Sequence, residues 1–260
     1  MSPTRRHHPP NPTRRRLERR DRIERHDHNR HQLLYPTSGV ISVTTDAGTW
    51  VIPPLRAIWL PAGCPHAHAA HGPVEVCSIL LPADTTRLDT GRPTLLAVSP
   101  LLREILLALT ATPQPPADAR RRLEAVIFDQ LQPSSANASH LLPEPGDDRL
   151  QAIAAILRED PGDPRTLAQL GQVAGASERT LSRLFRTDTG MSFPQWRAQL
   201  RLHAALIDLA AQLPVGVVAH RCGYSTPSAF IAAFRHAFGV TPAAYMHRPG
   251  RPIVKKRDRL

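Results

Sequence analysis

Cysteine is nearly missing from this 260-residue chain: Cys64, Cys77 and Cys222 are odd in number and share no paired spacing. That excludes a disulfide framework and a thiolate zinc ribbon, and it fits a reducing, cytoplasmic compartment. Aromatic residues make up only 5% of the chain, so any core must be mainly aliphatic. No apolar run approaches the roughly 18 residues that a membrane span needs. The N-terminus also lacks the apolar stretch of a secretion signal, so neither span nor export is expected. At this length, with 41% hydrophobic residues, two ordinary domains are expected.

Acidic residues are outnumbered by Lys and Arg, 22 to 33, and the formal charge is +11. Where that charge sits matters more than its sum. Residues 1–25 hold nine Arg against three acids (+6), and residues 248–260 hold six Lys or Arg against one (+5). Both are expected to be disordered, solvated basic tails, able to add salt-sensitive DNA affinity. Between them, residues 26–165 carry −4 and residues 166–247 carry +4, which points to phosphate contact in the latter stretch.

That basic stretch contains a repeat. Leu167 to Gly175 (LAQLGQVAG) and Val215 to Gly223 (VGVVAHRCG) each place a small residue, Gly171 or Ala219, four positions before a glycine. This is the spacing of a helix-turn-helix, where two helices cross too closely for a large side chain and the turn needs positive φ. Each copy continues with a serine suited to cap a helix, Ser177 or Ser225. Apolar residues four apart follow, Leu181 and Phe185 or Phe230 and Phe234. A glycine five residues beyond the phenylalanine (Gly190, Gly239) and then a proline (Pro194, Pro242) complete each copy.

Residues 166–247, with SERTLSRLFRTDTGMSFPQW and YSTPSAFIAAFRHAFGVTPAAY, resemble the DNA-binding domain of the AraC/XylS family of bacterial transcription regulators. The resemblance implies two helix-turn-helix units joined by a long helix, which fits Pro194 to Gln212, opened by its proline and closed before Pro214. It further implies double-stranded operator DNA as partner, a small-molecule effector, and RNA polymerase if the protein is an activator.

In that family the second helix of each unit enters the major groove. In the first unit its exposed positions are Glu178, Arg179, Ser182, Arg183 and Arg186. Arg179 and Arg183 lie four apart and either can fork onto guanine. Ser182 can reach a base or a phosphate, and Arg186 suits a phosphate. The second unit presents Pro227, Ser228, Ile231 and Ala232, none with a long polar side chain. Ile231 and Ala232 can touch thymine methyls while Ser225, Thr226, Ser228 and Arg235 hold phosphates. The first unit is expected to read bases and the second to position.

From Gln32 to Leu81, short β-branched and aromatic runs are punctuated by Gly and Pro, with DAG as a hairpin turn. They predict an antiparallel β-barrel or sandwich. His26-Asp27-His28 followed by Gln32, and Pro61-Ala62-Gly63-Cys64-Pro65-His66, resemble the two motifs of a cupin. Strand alternation lets His26 and His28 face inward while His66 enters from a neighbouring strand. Three neutral imidazoles with an oxygen ligand suit a divalent transition metal. Gln32 stands where metal cupins usually carry glutamate, so the same residues also read as a histidine-lined ligand pocket without metal, or as unrelated surface histidines. Trp50, Arg56 and Trp59 either complete a pocket for a planar or anionic ligand or belong to the core.

Thr94 to Thr110 and Ala117 to Gln132 have helical spacing and are separated by PQPP. They serve either to build a homodimer or to pack on their own barrel. The expected chain is therefore α+β with two domains. A cupin-like antiparallel β-barrel and helical pair (26–132) precedes a linker (133–147), an all-α double helix-turn-helix domain (148–247) and the second tail (248–260). Its expected function is ligand- or metal-responsive, sequence-specific transcription regulation without catalysis. The rivals are a metal-dependent, dioxygenase-like cupin enzyme fused to a DNA-targeting module and an architectural DNA-binding protein.

Overall fold

The computed structural model describes residues 5–6, 12–84, 91–133 and 137–246. The N-terminal strands are β1 (Arg5–Arg6), β2 (Thr13–Leu17), β3 (Arg22–Asp27), β4 (His31–Ser38), β5 (Ile41–Thr45), β6 (Gly48–Ile52), β7 (Arg56–Leu60), β8 (His66–Ala70), β9 (Val74–Leu81) and β10 (Thr94–Ala97). Helices α1 (Pro100–Leu109) and α2 (Ala117–Gln130) follow, and then the short elements β11 (Gln132–Pro133), α3 (Asn137–His140) and β12 (Leu141–Leu142). They form two facing sheets, β1-β3-β8-β5-β6-β12 and β11-β10-β7-β4-β9-β2. Apart from the two-residue β1–β3 pair every pairing is antiparallel, and the sheets make an open sandwich rather than a closed barrel. The DAG turn joins β5 to β6 as expected, with Thr45 opposite Gly48.

Strand alternation divides the apolar residues between two layers. Ile58, Leu60 and Leu34 point between the sheets, toward Ile41, Val43, Trp50 and Ile52. Their neighbours Ala57, Trp59, Leu33 and Tyr35 point outward, under Leu102, Ile105, Leu106 and Leu109 of α1 and Ile127 of α2. The helical pair thus packs on its own sandwich. Helix α1 begins only at Pro100, where the Ser99 side chain accepts from Leu102 N. The preceding Thr94–Ala97, expected as helix, pairs instead with β7, because its residues are buried on a sheet already apolar on both faces.

Two expected disordered or linking stretches are built into the sandwich. Residues 12–25, within the expected tail, supply β2 and most of β3, with β2 paired along its whole length to β9. Ladder hydrogen bonds come from the backbone and need no apolar side chains, so an arginine-rich strand can close a sheet edge, with Arg14 and Arg16 on one face and Arg15 toward the cavity beside His26. Arg14 meets Glu75 at 3.0 Å and Arg25 meets Asp46 at 2.5 Å. The expected linker carries α3 and β12, with Leu142 and His140 buried. Gly48, at φ 129°, makes room for it, since a Cβ there would lie 2.3 Å from Leu142 O. The C-terminal tail, 248–260, lies outside the described residues.

The helical domain comprises α4 (Asp148–Glu159), α5 (Leu167–Ala174), α6 (Glu178–Thr189), α7 (Phe193–Ala210), α8 (Val215–Arg221), α9 (Pro227–Phe238) and α10 (Pro242–Met246). Its two turns are made alike. Ala176 N donates to Gly171 O at 3.0 Å and Tyr224 N to Ala219 O at 2.9 Å. Gly175 and Gly223 supply positive φ, 65° and 73°. A Cβ on Gly171 would sit 2.4 Å from Ala176 O, so the first crossing admits only glycine. Helix α7 carries a Ser192–Gln195 capping box and joins the units along the predicted path. Around it the core splits into a cluster with Leu181, Phe185 and Trp196 and another with Phe230, Phe234 and Phe238.

Candidate nucleic-acid interface and sensor site

Helix α6 begins at its Ser177 cap, whose side chain accepts from Thr180 N. Leu181 and Phe185 are fully buried against the domain core, which leaves Arg179, Arg183 and Arg186 exposed and Ser182 half-buried. The three arginines carry no ion pair among the described residues. They remain available to phosphate or base edges.

Helix α9 differs from the sequence expectation at its start. Thr226 is its cap, with the side chain accepting from Ala229 N, and Ser225 precedes it as an exposed residue. Pro227 in the first turn fixes the start there, since its missing N–H would be unsatisfied anyway. The outward groove is lined by Ser228, Ile231, Ala232, Arg235, His236 and Thr241. His236 was not anticipated, yet it lies four residues beyond Ala232 and so on the same helical face.

In the sandwich the inward residues of β3 and β8 meet. His26 is paired with His66 across the ladder, and their ring centroids are 4.3 Å apart. His68, two residues on, stacks on His66 at 5.2 Å with rings 7° from parallel. All three are buried, with His66 at 0% exposure. Burial pushes the His66 pKa down to about 3, partly offset by its bond to Cys64 O and deepened by the neighbouring His26 and His28. Burial likewise holds His68 well below its usual value.

Of the expected trio His26, His28 and His66, two meet in this cluster. His28 lies inside, but its Nδ1 bonds Arg30 O at 2.6 Å and its Nε2 meets Gln32 Oε1 at 3.1 Å. Gln32 donates in turn to Ser78 Oγ at 2.8 Å, a cross-strand contact between β4 and β9 of one sheet. His68 takes the third place beside His26 and His66, with ligand atoms of all three within 4.8 Å of one another. The signal was in the sequence: His66-Ala67-His68 repeats the alternation of His26-Asp27-His28.

A cavity of about 40 Å³ opens beside His26 and His68, lined also by Gln32, Ser78, Leu34 and Arg15. Trp50, Arg56 and Trp59 take no part in it. Trp50 faces the sandwich core, and Trp59 lies on the opposite sheet face with its ring 4.7 Å from His31. Arg56 bonds Leu55 O and its charge acts on His140 and Tyr245.

Between sandwich and helices runs a polar junction that sequence reading missed. His140 Nδ1 donates to Val51 O at 2.9 Å, so its Nε2 is the acceptor for the Tyr245 hydroxyl at 3.2 Å. Burial lowers the His140 pKa to about 4. Trp196 Nε1 donates to Pro143 O at 2.9 Å, Gln199 to Leu141 O, and His203 Nε2 meets Ser139 O at 3.3 Å. Val40 and Val51 of the sandwich belong to the same apolar cluster as Leu202, Leu206 and Phe238.

An inward-facing histidine site in a sandwich, joined through a bonded segment to twin helix-turn-helix units, defines a DNA-binding regulator with a sensor domain. The family described as AraC-like ligand binding domain matches residues 12–194, and a helix-turn-helix domain family matches residues 170–248. The chain is 34% identical to the HTH-type transcriptional regulator NimR of Escherichia coli K12, over 86% of this chain and 82% of that one. It is 36% identical to the regulator RipA of Corynebacterium glutamicum over 40% of this chain and 31% of that one. Among solved structures, fatty-acid-bound ToxT of Vibrio cholerae aligns over 90% of this chain and 94% of its own, with TM-score 0.38 and 12% identity. The chain belongs to the AraC family of helix-turn-helix transcriptional regulators. No helix among the described residues is long and apolar enough to cross a membrane.

Proposed function

We propose that occupancy of the sandwich controls operator binding through residues 139–143, and that the two helix-turn-helix units divide the labour of recognition. One observation supports the coupling most directly: β12 pairs with β6 of the sandwich while Leu141 O within it and Pro143 O just after it accept from α7. A shift of β6 therefore moves the backbone that α7 holds, and by linkage operator binding must bias the sandwich equally.

The readout half rests on side-chain chemistry. Exposed Arg179 and Arg183 on α6 can make forked contacts to guanine, whereas the α9 groove offers Ser228, Ile231 and Ala232 with Arg235 and His236 at its far end. A non-catalytic sandwich is supported by the relatives, which are named as regulators.

The test uses operator DNA selected from a random pool by the full chain. Amide exchange in β6 and β12 is then compared with and without that DNA. Altered protection in both strands supports the coupling, and unchanged protection overturns it.

A further inference from the structure

We infer that His26, His66 and His68 form a binding site for a divalent transition-metal cation, with the fourth position opening into the adjoining cavity. This deepens the proposed function by naming the chemical class of what the sandwich binds.

The argument begins with tautomers. His26 Nδ1 bonds Glu24 O and His66 Nδ1 bonds Cys64 O, each at 2.8 Å. A backbone carbonyl only accepts, so both protons sit on Nδ1 and each Nε2 presents its lone pair. Such an outer bond fixes a ring for metal ligation and raises its basicity. Nε2 of His66 and Nε2 of His68 are buried without a hydrogen-bond partner. Buried lone pairs left unsatisfied are costly, and a cation is the partner that several converging lone pairs can share.

The dimensions agree. The ligand atoms lie within 4.8 Å of one another, a triangle that metal–imidazole bonds of about 2.0–2.1 Å close after a small inward turn of the rings. The cavity of about 40 Å³ beside His26 and His68 has room for water or a small anion, whereas pockets for drug-sized organic ligands measure roughly 300 Å³ or more. Three nitrogen donors without a carboxylate favour zinc, cobalt, nickel or copper over magnesium or calcium. Gln32 and His28 lie outside the ligand set: the neutral amide sits between His28 and Ser78 at the edge of the site.

Cobalt(II) is the probe, titrated into the metal-free full chain and followed by its visible absorption, with zinc(II) as competitor. One equivalent is expected to give a low-coordinate spectrum that zinc displaces and excess magnesium does not. His68→Ala should weaken binding by about a hundredfold or more and His68→Cys, which restores a ligand, should recover it. His28→Ala should weaken it clearly less than His68→Ala. Far-UV circular dichroism establishes that each variant is folded. Absence of stoichiometric binding, displacement by magnesium, equal loss from His28→Ala, or retention in a variant lacking all three histidines would each overturn the site. Operator affinity measured with and without zinc is a separate reading. A filled site that leaves operator affinity unchanged upholds the metal and sinks only control by it.

Discussion

The Tyr245 hydroxyl and the His140 imidazole meet 3.2 Å apart, one from the last described helix of the DNA-binding domain and the other from the segment that ends in the sensor sheet. His140 is fully buried and its other nitrogen is held by Val51 O. Removing the hydroxyl leaves a buried acceptor unsatisfied, a loss of about 1–3 kcal/mol. Tyr245→Phe is therefore expected to lower the urea midpoint of the full chain without changing the slope of the transition. An unchanged midpoint would show that the contact carries no weight.

Acid should loosen the same junction. His140 and His203 are held neutral by burial, with pKa values near 4 and 3, against about 6.5 for an exposed histidine. As pH falls through 6.5 the unfolded chain takes up protons that the folded chain refuses, so stability is full above that pH. It then declines by about 1.4 kcal/mol per unit per histidine, until each folded pKa is reached. Unfolding free energies measured between pH 7 and pH 4.5 should fall steeply, and His140→Gln should remove roughly one proton's share of the slope. An identical slope in the variant would refute the assignment.

How much of this was legible beforehand follows the physics of each element. The twin units were readable because helix crossings impose local demands that recur in sequence: a small residue at 171 and 219, glycine at 175 and 223, and phenylalanines four apart. The histidine pairs at 26/28 and 66/68 announce an inward face by alternation, but which three converge depends on cross-strand register. Register pairs His26 with His66, whereas His28 turns toward Gln32, its Nε2 3.1 Å from Gln32 Oε1, and stands apart from the group. Strand β2 was illegible because its partners are backbone groups of β9, while its side chains read as a charged tail. The junction at His140 was hidden for a similar reason: a Pro- and Ser-rich stretch reads as linker unless the sheet edge it completes is already known.

The two copies also predict unequal costs at the equivalent position. Gly171→Ala drives a Cβ to 2.4 Å from a backbone oxygen that cannot swing away. Overpacking of that kind costs about 1–3 kcal/mol. In the second copy the crossing already accommodates Ala219, and Ala219→Gly loses helix propensity, roughly 0.5–1 kcal/mol, together with the burial of one methyl group. Thermal unfolding of the two variants should rank them in that order. The reverse ranking would mean that the crossings are not packed as described.

The division of labour between the units makes the sharpest claim about DNA. Arg179→Ala or Arg183→Ala, if its guanidinium forks onto guanine, should cost about 1–3 kcal/mol of operator affinity and relax preference at one or two base pairs, leaving others unchanged. Arg235→Ala should instead weaken binding to all sequences alike and reduce the salt slope by about one, as expected for a lost phosphate contact. His236 adjoins Arg235 on the same groove, so His236→Ala should follow the Arg235 pattern, more weakly because an imidazole lacks the forked donors of a guanidinium. The measurement is base-by-base substitution of the selected operator at two salt concentrations with each variant. If Arg235→Ala relaxed specificity while both α6 arginine variants lost affinity uniformly, the roles of the two units would have to be exchanged.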